Sequence, residues 1–549
     1  MIRSVIATLL STMLLAGCTV GGVDSQLPAG PAVDPESFPV TIRFLHEGAP
    51  VPVRAYFRFN DQPFLIDSLG WRLPIVMDLH YHDHAFPMKP SIPVLDMTYR
   101  SEHHWYFLTG QATLPMLPGK YQLDVYKGVE FLPLHAEFEL SGAERELEFE
   151  LERWIDLAAE GWYGGDDHIH LSRQPSDDRL YLGLLEADGL SVGHFLQLQR
   201  RDQAAVQYGW GESAQARKGD YLIRSGEEQR SHFYGHNLML GIDSLVRPVS
   251  QGLTYGLTAF ADPLSAELFV DAHRLGGVVG YAHGDGGVEY SAAMIDLAHG
   301  DIDFLEVFQF GMMNSAFWYN ALSCGFRIPG TAGSDFPVSL ARHERWPRLI
   351  PPFGPDRMYI RVEGELKFDK WMDGIGEGNI LLTNGPFVEF DVNGEVPGSE
   401  VRLPAGEGEV TISATLRHWR PVSQARLLVN GRVSRTYANG SETSWEIRDT
   451  ITLERSSWLA LHAVTDSSGA GDEAVELEAH TNPVYVLVDG RPVGEPEELR
   501  AAIERLEEMR AYYASDELVF RIEASRLRLL ERADAALAEL RRRLEQAGD

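Results

Sequence analysis

Gly164-Gly165-Asp166-Asp167-His168-Ile169-His170 is the stretch on which the reading of this chain turns. An aromatic approach, Trp162-Tyr163, leads into it. Alternate residues of a β-strand face the same way, so His168 and His170 point together and bring two imidazoles to one pocket. Paired imidazoles at the C-terminal end of a barrel strand are a common opening to a metal site.

Further candidates follow downstream, each at or just after the end of a strand-like run. His194 closes Gly189-Leu190-Ser191-Val192-Gly193-His194, and Glu228 lies at the end of Tyr221-Leu222-Ile223-Arg224-Ser225-Gly226-Glu227-Glu228. His236 follows in Tyr234-Gly235-His236-Asn237, His283 closes Val279-Gly280-Tyr281-Ala282-His283, and Asp335 closes Gly330-Thr331-Ala332-Gly333-Ser334-Asp335. Imidazoles and carboxylates gathered at strand ends suit Zn²⁺, Mn²⁺ or Fe²⁺. These candidates exceed what one tetrahedral ion needs. Two or three ions sharing a bridging carboxylate are therefore expected, with Glu228 as the bridge and Glu227 facing solvent. Such a centre lowers the pKa of coordinated water to about 7 and clamps attacking and leaving oxygens. Glu306, on the apolar run 302–308, either orients a histidine or pairs with an arginine. Asp166 and Asp167 read as turn residues or supports for the ligands. Asp285, in His283-Gly284-Asp285, is the candidate general acid.

Around these residues, from about 155 to 385, short β-like runs alternate with helical ones, which predicts a parallel sheet closed into a barrel. Upstream, 39–154 carries short alternating strands such as Val40-Thr41-Ile42-Arg43-Phe44 and reads as a β-sandwich. Alternation returns over 386–493, a second β-sandwich. The tail 494–549 has Ile503, Leu506, Met509 and Tyr513, then Ile522, Leu529, Ala533, Leu537, Leu540 and Leu544, at helical spacing. Two helices broken near Ser515-Asp516 are predicted, packed on the body or self-associating. The fold class is thus α/β with flanking all-β modules and a helical tail.

Asp and Glu outnumber Lys and Arg 80 to 48 in the 549 residues, for a formal charge of −32. Phosphate backbones need a basic surface, so no nucleic-acid partner is expected. The N-terminus begins with Arg3 and an apolar run from Val5 to Leu15, too short to span a bilayer. It ends in Leu15-Ala16-Gly17-Cys18, which resembles the bacterial lipobox and implies a signal peptide over 1–18 with lipidation of Cys18. Thr19 in place of Asp leans towards the outer membrane of a cell envelope, and residues 19–38 read as a flexible tether. Cys324 then has no partner and reads as a buried structural thiol. The run His80-Tyr81-His82-Asp83-His84, with His103-His104, lacks a βα frame and reads as an interface loop. Arg342, Arg345 and Arg348 either recognise an anionic group or pair with the acidic surface.

Residues 160 to about 397 resemble the polymerase-and-histidinol-phosphatase (PHP) superfamily, in its CehA/McbA-like metallohydrolase branch. The resemblance is carried by Asp167-His168-Ile169-His170, Gly226-Glu227-Glu228, Gly235-His236-Asn237, Ala282-His283, Phe304-Leu305-Glu306-Val307, Ala332-Gly333-Ser334-Asp335, Leu382-Thr383-Asn384-Gly385-Pro386 and Val392-Asn393-Gly394. It implies a distorted (β/α)7 barrel and metal-dependent hydrolysis of an ester, carbamate or phosphoester. His168, His170, Glu228 and Asp335 would hold one metal, and His194, His236 and His283 would share in the second and third. Two positions depart from the family pattern: Gly193-His194 stands where Asp-His is usual, and Asp335-Phe336-Pro337 stands where Asp-x-His is usual. One to three ions are expected, with two the central number, and His343 is a candidate to compensate from the following loop. The rivals are a phosphoesterase specifically, and an inactive surface-binding lipoprotein.

Overall fold

A computed structural model describes residues 34, 36–64, 71–74, 94–99, 102–199, 204–256, 258–338, 348–406, 408–467, 471 and 474–548. Cys18, the run 80–84, Arg342, His343 and Arg345 lie outside these residues. The fold is mixed α/β and strand-rich, with several sheets.

The strand Trp162–Ile169, buried at every residue, pairs in parallel with Val192–Gln199, and that strand pairs in parallel with Tyr221–Ser231. The direction then reverses. Gly235–Leu240 is antiparallel to Tyr221–Ser231 and to its next neighbour, Val278–Tyr281. Parallel pairing resumes through Phe304–Gln309 to Gly330–Ala332. The sheet is therefore mixed, whereas the βα alternation predicts parallel strands. The reason is length: a parallel crossover takes a dozen or more residues, and only His232-Phe233-Tyr234 separate the two reversed strands. Beyond the last strand the chain comes back to the first. Phe336 N–H donates to the His168 carbonyl (3.2 Å) and His170 N–H donates to the Phe336 carbonyl (2.7 Å). Both ends of this run of strands thus meet at the His-x-His segment. Helices Asp178–Ala187, Ser265–Arg274, Ala293–His299 and Ala316–Ser323 lie in the connections.

The other edge of Trp162–Ile169 carries Arg357–Arg361 and then Ile380–Thr383, both antiparallel. Ile380–Thr383 pairs in turn with Glu478–Thr481, so the hydrogen bonds run on into the C-terminal strands across position 385. Those strands face a second sheet of Phe387–Val392, Glu409–Arg417 and Ser444–Thr452 over a core that includes Ile412, Leu416, Leu427 and Leu461. At the N-terminal end, Phe38–His46 and its partners stack on a sheet around Val53–Phe59 and Gly119–Tyr126, burying Val40, Ile42, Phe44, Phe57 and Leu123.

Buried polar groups join these parts. Arg54, from the N-terminal strands, meets Asp188 after the helix Asp178–Ala187 (3.3 Å), and the Tyr106 hydroxyl donates to the same carboxylate (2.6 Å). Arg348 pairs with Asp124 (3.0 Å), the acid-pairing alternative rather than ligand recognition. The tail helices Pro496–Ala514 and Glu523–Ala547 pack on the body, sharing its core through Leu506, Tyr513, Leu537 and Leu540. Their anchor is buried Asp296, which accepts from Ser265 Oγ (2.8 Å) and Tyr281 (2.7 Å) and pairs with Arg532 (3.0 Å). Cys324 is buried and its thiol pKa is pushed up to about 12 by burial, in keeping with a structural role. Among the described residues no helix is long and apolar enough to cross a membrane.

One junction makes stability depend on pH. Buried His480 lies 2.7 Å from the Thr481 carbonyl and 2.5 Å from the Tyr319 hydroxyl. A neutral ring satisfies both, donating from Nδ1 and accepting at Nε2. Burial, with His462 nearby, lowers its pKa to about 3. An unfolded histidine titrates near 6.5, so below that pH the unfolded chain takes a proton that the folded chain refuses, and stability falls. Going from pH 7 to pH 5 should cost about 2 kcal/mol at this position. His480→Asn should remove that increment when urea midpoints are compared at the two pH values. An unchanged pH dependence in the variant would count against the neutral ring.

Candidate metal centre

Four of the predicted donors converge at the mouth where the sheet ends meet. His170 Nε2 lies 3.0 Å from His168 Nε2, 3.1 Å from Glu228 Oε2 and 3.3 Å from Asp335 Oδ1. His168 Nε2 lies 3.6 Å from Asp335 Oδ1 and 3.9 Å from Glu228 Oε1. An ion with bonds of about 2.0–2.2 Å in tetrahedral array separates its donors by about 3.4 Å. The measured separations straddle that value. The other oxygen of Glu228, Oε1, lies 3.2 Å from His236 Nδ1 and 3.9 Å from His283 Nε2. Glu228 therefore belongs to two donor groups at once, His168–His170–Glu228 and Glu228–His236–His283. Both its oxygens and both ring nitrogens of His236 are buried without a hydrogen-bond partner of good geometry among the described residues. Such atoms are rare in folded proteins, and this donor set fits divalent cations.

The electrostatics agree. Burial lifts the Asp166 carboxyl to about 6, and burial with the neighbouring Glu306 holds Asp167 well above the ordinary range. Burial disfavours a charged His168, yet Glu306, Asp335 and Glu228 more than reverse this and raise its pKa well above normal. Carboxyls buried and crowded in this way are neutralised by protons or balanced by nearby positive charge.

A carboxylate behind the donors aims them. Glu306 Oε1 accepts from His168 Nδ1 (2.9 Å) and from Gln309 Nε2 (3.1 Å), and Glu306 Oε2 accepts from the His283 backbone N–H (2.9 Å). With Nδ1–H committed to Glu306, His168 turns Nε2 towards His170 and Asp335. The open alternative for Glu306 thus resolves to a histidine partner. Gln309 repeats the device, its Oε1 accepting from His283 Nδ1 (2.6 Å). Asp166 ties three segments together, accepting from His168 N–H (3.0 Å), Ser334 N–H (2.9 Å) and Gly354 N–H (3.0 Å). Two donors, His283 (φ 57°) and Asp335 (φ 50°), sit in the left-handed region that non-glycine residues rarely adopt. Such conformations persist where surrounding contacts over-determine them, and they cluster at functional sites.

Several expectations need correction. His194 does not join the cluster. Its strand runs on from Val192 to Gln199, because Phe195, Leu196 and Leu198 continue the buried apolar run, and His194 pairs in register with Arg224, four residues before Glu228. Its ring lies against Trp371 (5.4 Å) and Phe368 (5.6 Å), and burial with nearby Arg224 lowers its pKa to about 3. At Gly193 a Cβ would stand 3.0 Å from a methyl group of Leu185, a tight approach. Glu227 is buried rather than solvent-facing; its carboxylate accepts from Val246 N–H (2.9 Å), and burial lifts it to about 8. Asp285 faces a separate cavity of about 270 Å³ beside Arg505 and Met509 instead of the donors. Arg230 and Gln309 were not singled out by the sequence reading, because an isolated arginine or glutamine carries no motif.

His236, His283 and Asp335 line one wall of a cavity of about 620 Å³, shared with Arg230, Tyr255, Phe310, Met312 and Asn314. No known family profile matches the chain. No curated protein matches it. Among solved structures it is similar to a lesion-specific endonuclease, PfuEndoQ from Pyrococcus furiosus, at 14% identity and a TM-score of 0.25, over 39% of this chain and 56% of that one. A second similar structure is Endonuclease Q in complex with a 27-mer duplex bearing an abasic lesion at the active site, at 16% identity and a TM-score of 0.24 over the same shares. The chain thus spans about half the length of these neighbours.

Gly333 is the tightest point of the site. A Cβ there would lie 2.2 Å from Asp167 Oδ1, 2.6 Å from His168 Cβ and 2.7 Å from Glu306 Oε1. Gly333→Ala must push His168 and Glu306 apart, at a cost of about 1–3 kcal/mol. Elemental analysis should find markedly less bound metal in this variant than in the parent, and equal content would refute the packing argument.

Proposed function

We propose that the chain is a metal-dependent hydrolase of PHP type, in the CehA/McbA-like branch, whose central strands form a distorted barrel with the ions at its mouth. The observation that carries this reading is the donor array itself: His168, His170, Glu228 and Asp335 at tetrahedral spacing, with Glu228 offering its second oxygen to His236. Two divalent ions, Zn²⁺, Mn²⁺ or Fe²⁺, suit imidazoles and carboxylates in this number. When bound they supply Lewis acidity, which activates water at neutral pH and offsets the negative charge that develops in hydrolysis. The chain's own residues keep this geometry. Glu306 holds the proton on His168 Nδ1, Gln309 fixes the ring of His283, and Asp166 holds the loop that bears Asp335. The reaction adds water across an ester, carbamate or phosphoester bond and releases an acid and an alcohol or amine. The lipobox-like Leu15-Ala16-Gly17-Cys18 supports anchorage through Cys18 at a bacterial cell envelope.

Metal analysis of the purified chain tests the reading. About two equivalents are expected, and a chain carrying well under one equivalent would sink it in favour of a surface-binding role. Hydrolysis of p-nitrophenyl acetate and p-nitrophenyl phosphate, measured in parallel with Mn²⁺ or Zn²⁺ added, should be abolished by chelation. Removing the support behind His168 with Glu306→Gln should weaken metal affinity about 10–100-fold, read by competition with a chromophoric chelator.

A further inference from the structure

We propose that the cleft between the loop 284–291 and the tail helix Pro496–Ala514 binds a free α-amino acid with an apolar side chain. Such a site lies beyond the hydrolase function and needs no metal ion.

Asp285 reaches this cleft through the build of its own loop. Gly284 (φ 84°), Gly286 (φ 91°) and Gly287 (φ 66°) take left-handed backbone that glycine adopts at little cost. His283 and Gly287 line the cavity at the donors, while Asp285 between them lines the cleft beside the tail. The tail helix clamps the same loop. Arg505 donates to the Glu289 carbonyl and packs over Tyr290, 5.3 Å from the ring centroid. Tyr512 stacks on Tyr290 at 4.2 Å, and the Tyr513 hydroxyl donates to the Tyr290 carbonyl (2.6 Å).

Beside this clamp a cleft of about 270 Å³ stays open. The side chains that meet there are small, Ala293 on the body and Ala501 and Ala502 on the helix. Met294, Leu506 and Met509, all buried, give it an apolar lining. Charges of both signs line it as well. Asp285, half-buried, accepts from Gly287 N–H (3.3 Å), and among the described residues its carboxylate forms no ion pair. Arg505 pairs with Glu508 (3.1 Å), an exposed carboxylate that holds it weakly in water.

These charges exclude the simpler ligands. A cation is repelled by Arg505, and an anion by Asp285 and Glu289. A neutral apolar molecule would strip water from Asp285 and give it no partner. A molecule that carries both charges on an apolar body meets every group. The cleft is small beside drug-sized sites of roughly 300–1,000 Å³, so the two charges must sit close together, as an α-ammonium and its own α-carboxylate do. The ammonium then donates to Asp285, the carboxylate accepts from the Arg505 guanidinium, and the side chain lies against the thioethers of Met294 and Met509.

Titration calorimetry of the full chain with L-methionine and L-phenylalanine tests the site. Saturable binding is expected. Hydrocinnamate, which lacks the ammonium, and phenethylamine, which lacks the carboxylate, should each bind about tenfold or more weakly than L-phenylalanine. Asp285→Asn should weaken L-phenylalanine binding by a similar factor, and Ala502→Leu, which fills the gap, should abolish it, with circular dichroism confirming that both variants fold. A parent chain that binds neither amino acid overturns the proposal. So do single-charge analogues that bind as well as L-phenylalanine, a comparison made on the parent alone. Unchanged affinity in folded Asp285→Asn or Ala502→Leu places the binding elsewhere and overturns it too. The metal content of the chain has no part in these outcomes, so the hydrolase reading stands or falls separately.

Discussion

Glu306 is the carboxylate on which the mouth of the central sheet depends. Fully buried, it accepts from a ring nitrogen of His168, the backbone of His283 and the amide of Gln309. The bond to His168 joins strands 138 residues apart and decides which nitrogen that imidazole shows to the site. A buried carboxylate is costly unless its oxygens are satisfied, and here the groups that satisfy it are the groups the site needs oriented.

The same economy governs the loops. Asp335 and His283 occupy left-handed backbone, and Gly333 leaves no room for a methyl group between Asp167, His168 and Glu306. Local strain and close packing there are offset by hydrogen bonds of Asp166 to three separate segments and by the exchange between Phe336 and the His-x-His run. The site is thus built on the closure of the strand array, with the flanking β-modules and tail helices bracing it through buried pairs such as Arg54 with Asp188 and Arg532 with Asp296.

Much of this was legible in the chain. The alternation of His168 and His170 and the apolar runs ending in His283 and Asp335 are local patterns, and local patterns are what periodicity reports. The reading failed where a residue's role depends on what packs against it. The run before His194 reads as a complete strand, but the strand continues to Gln199 and the ring lies against Trp371. Glu227 looked solvent-facing because acids usually are, yet the Val246 amide waits for it inside. Asp285 sat beside a ligand in sequence and faces another cavity in space.

By itself, then, the sequence determined the types of side chain available for cation binding, the strands that carry most of them, and the mixed β-flanked organisation around them. These follow from side-chain chemistry and from the two-residue period of a strand, both properties of the chain alone. Tertiary structure alone decided which candidate donors converge, which partners their rings meet, and that Arg230 and Gln309 line the same cavity. Those depend on distances between segments up to more than a hundred residues apart, such as His168 and Glu306, which are set by packing and by the satisfaction of buried charge.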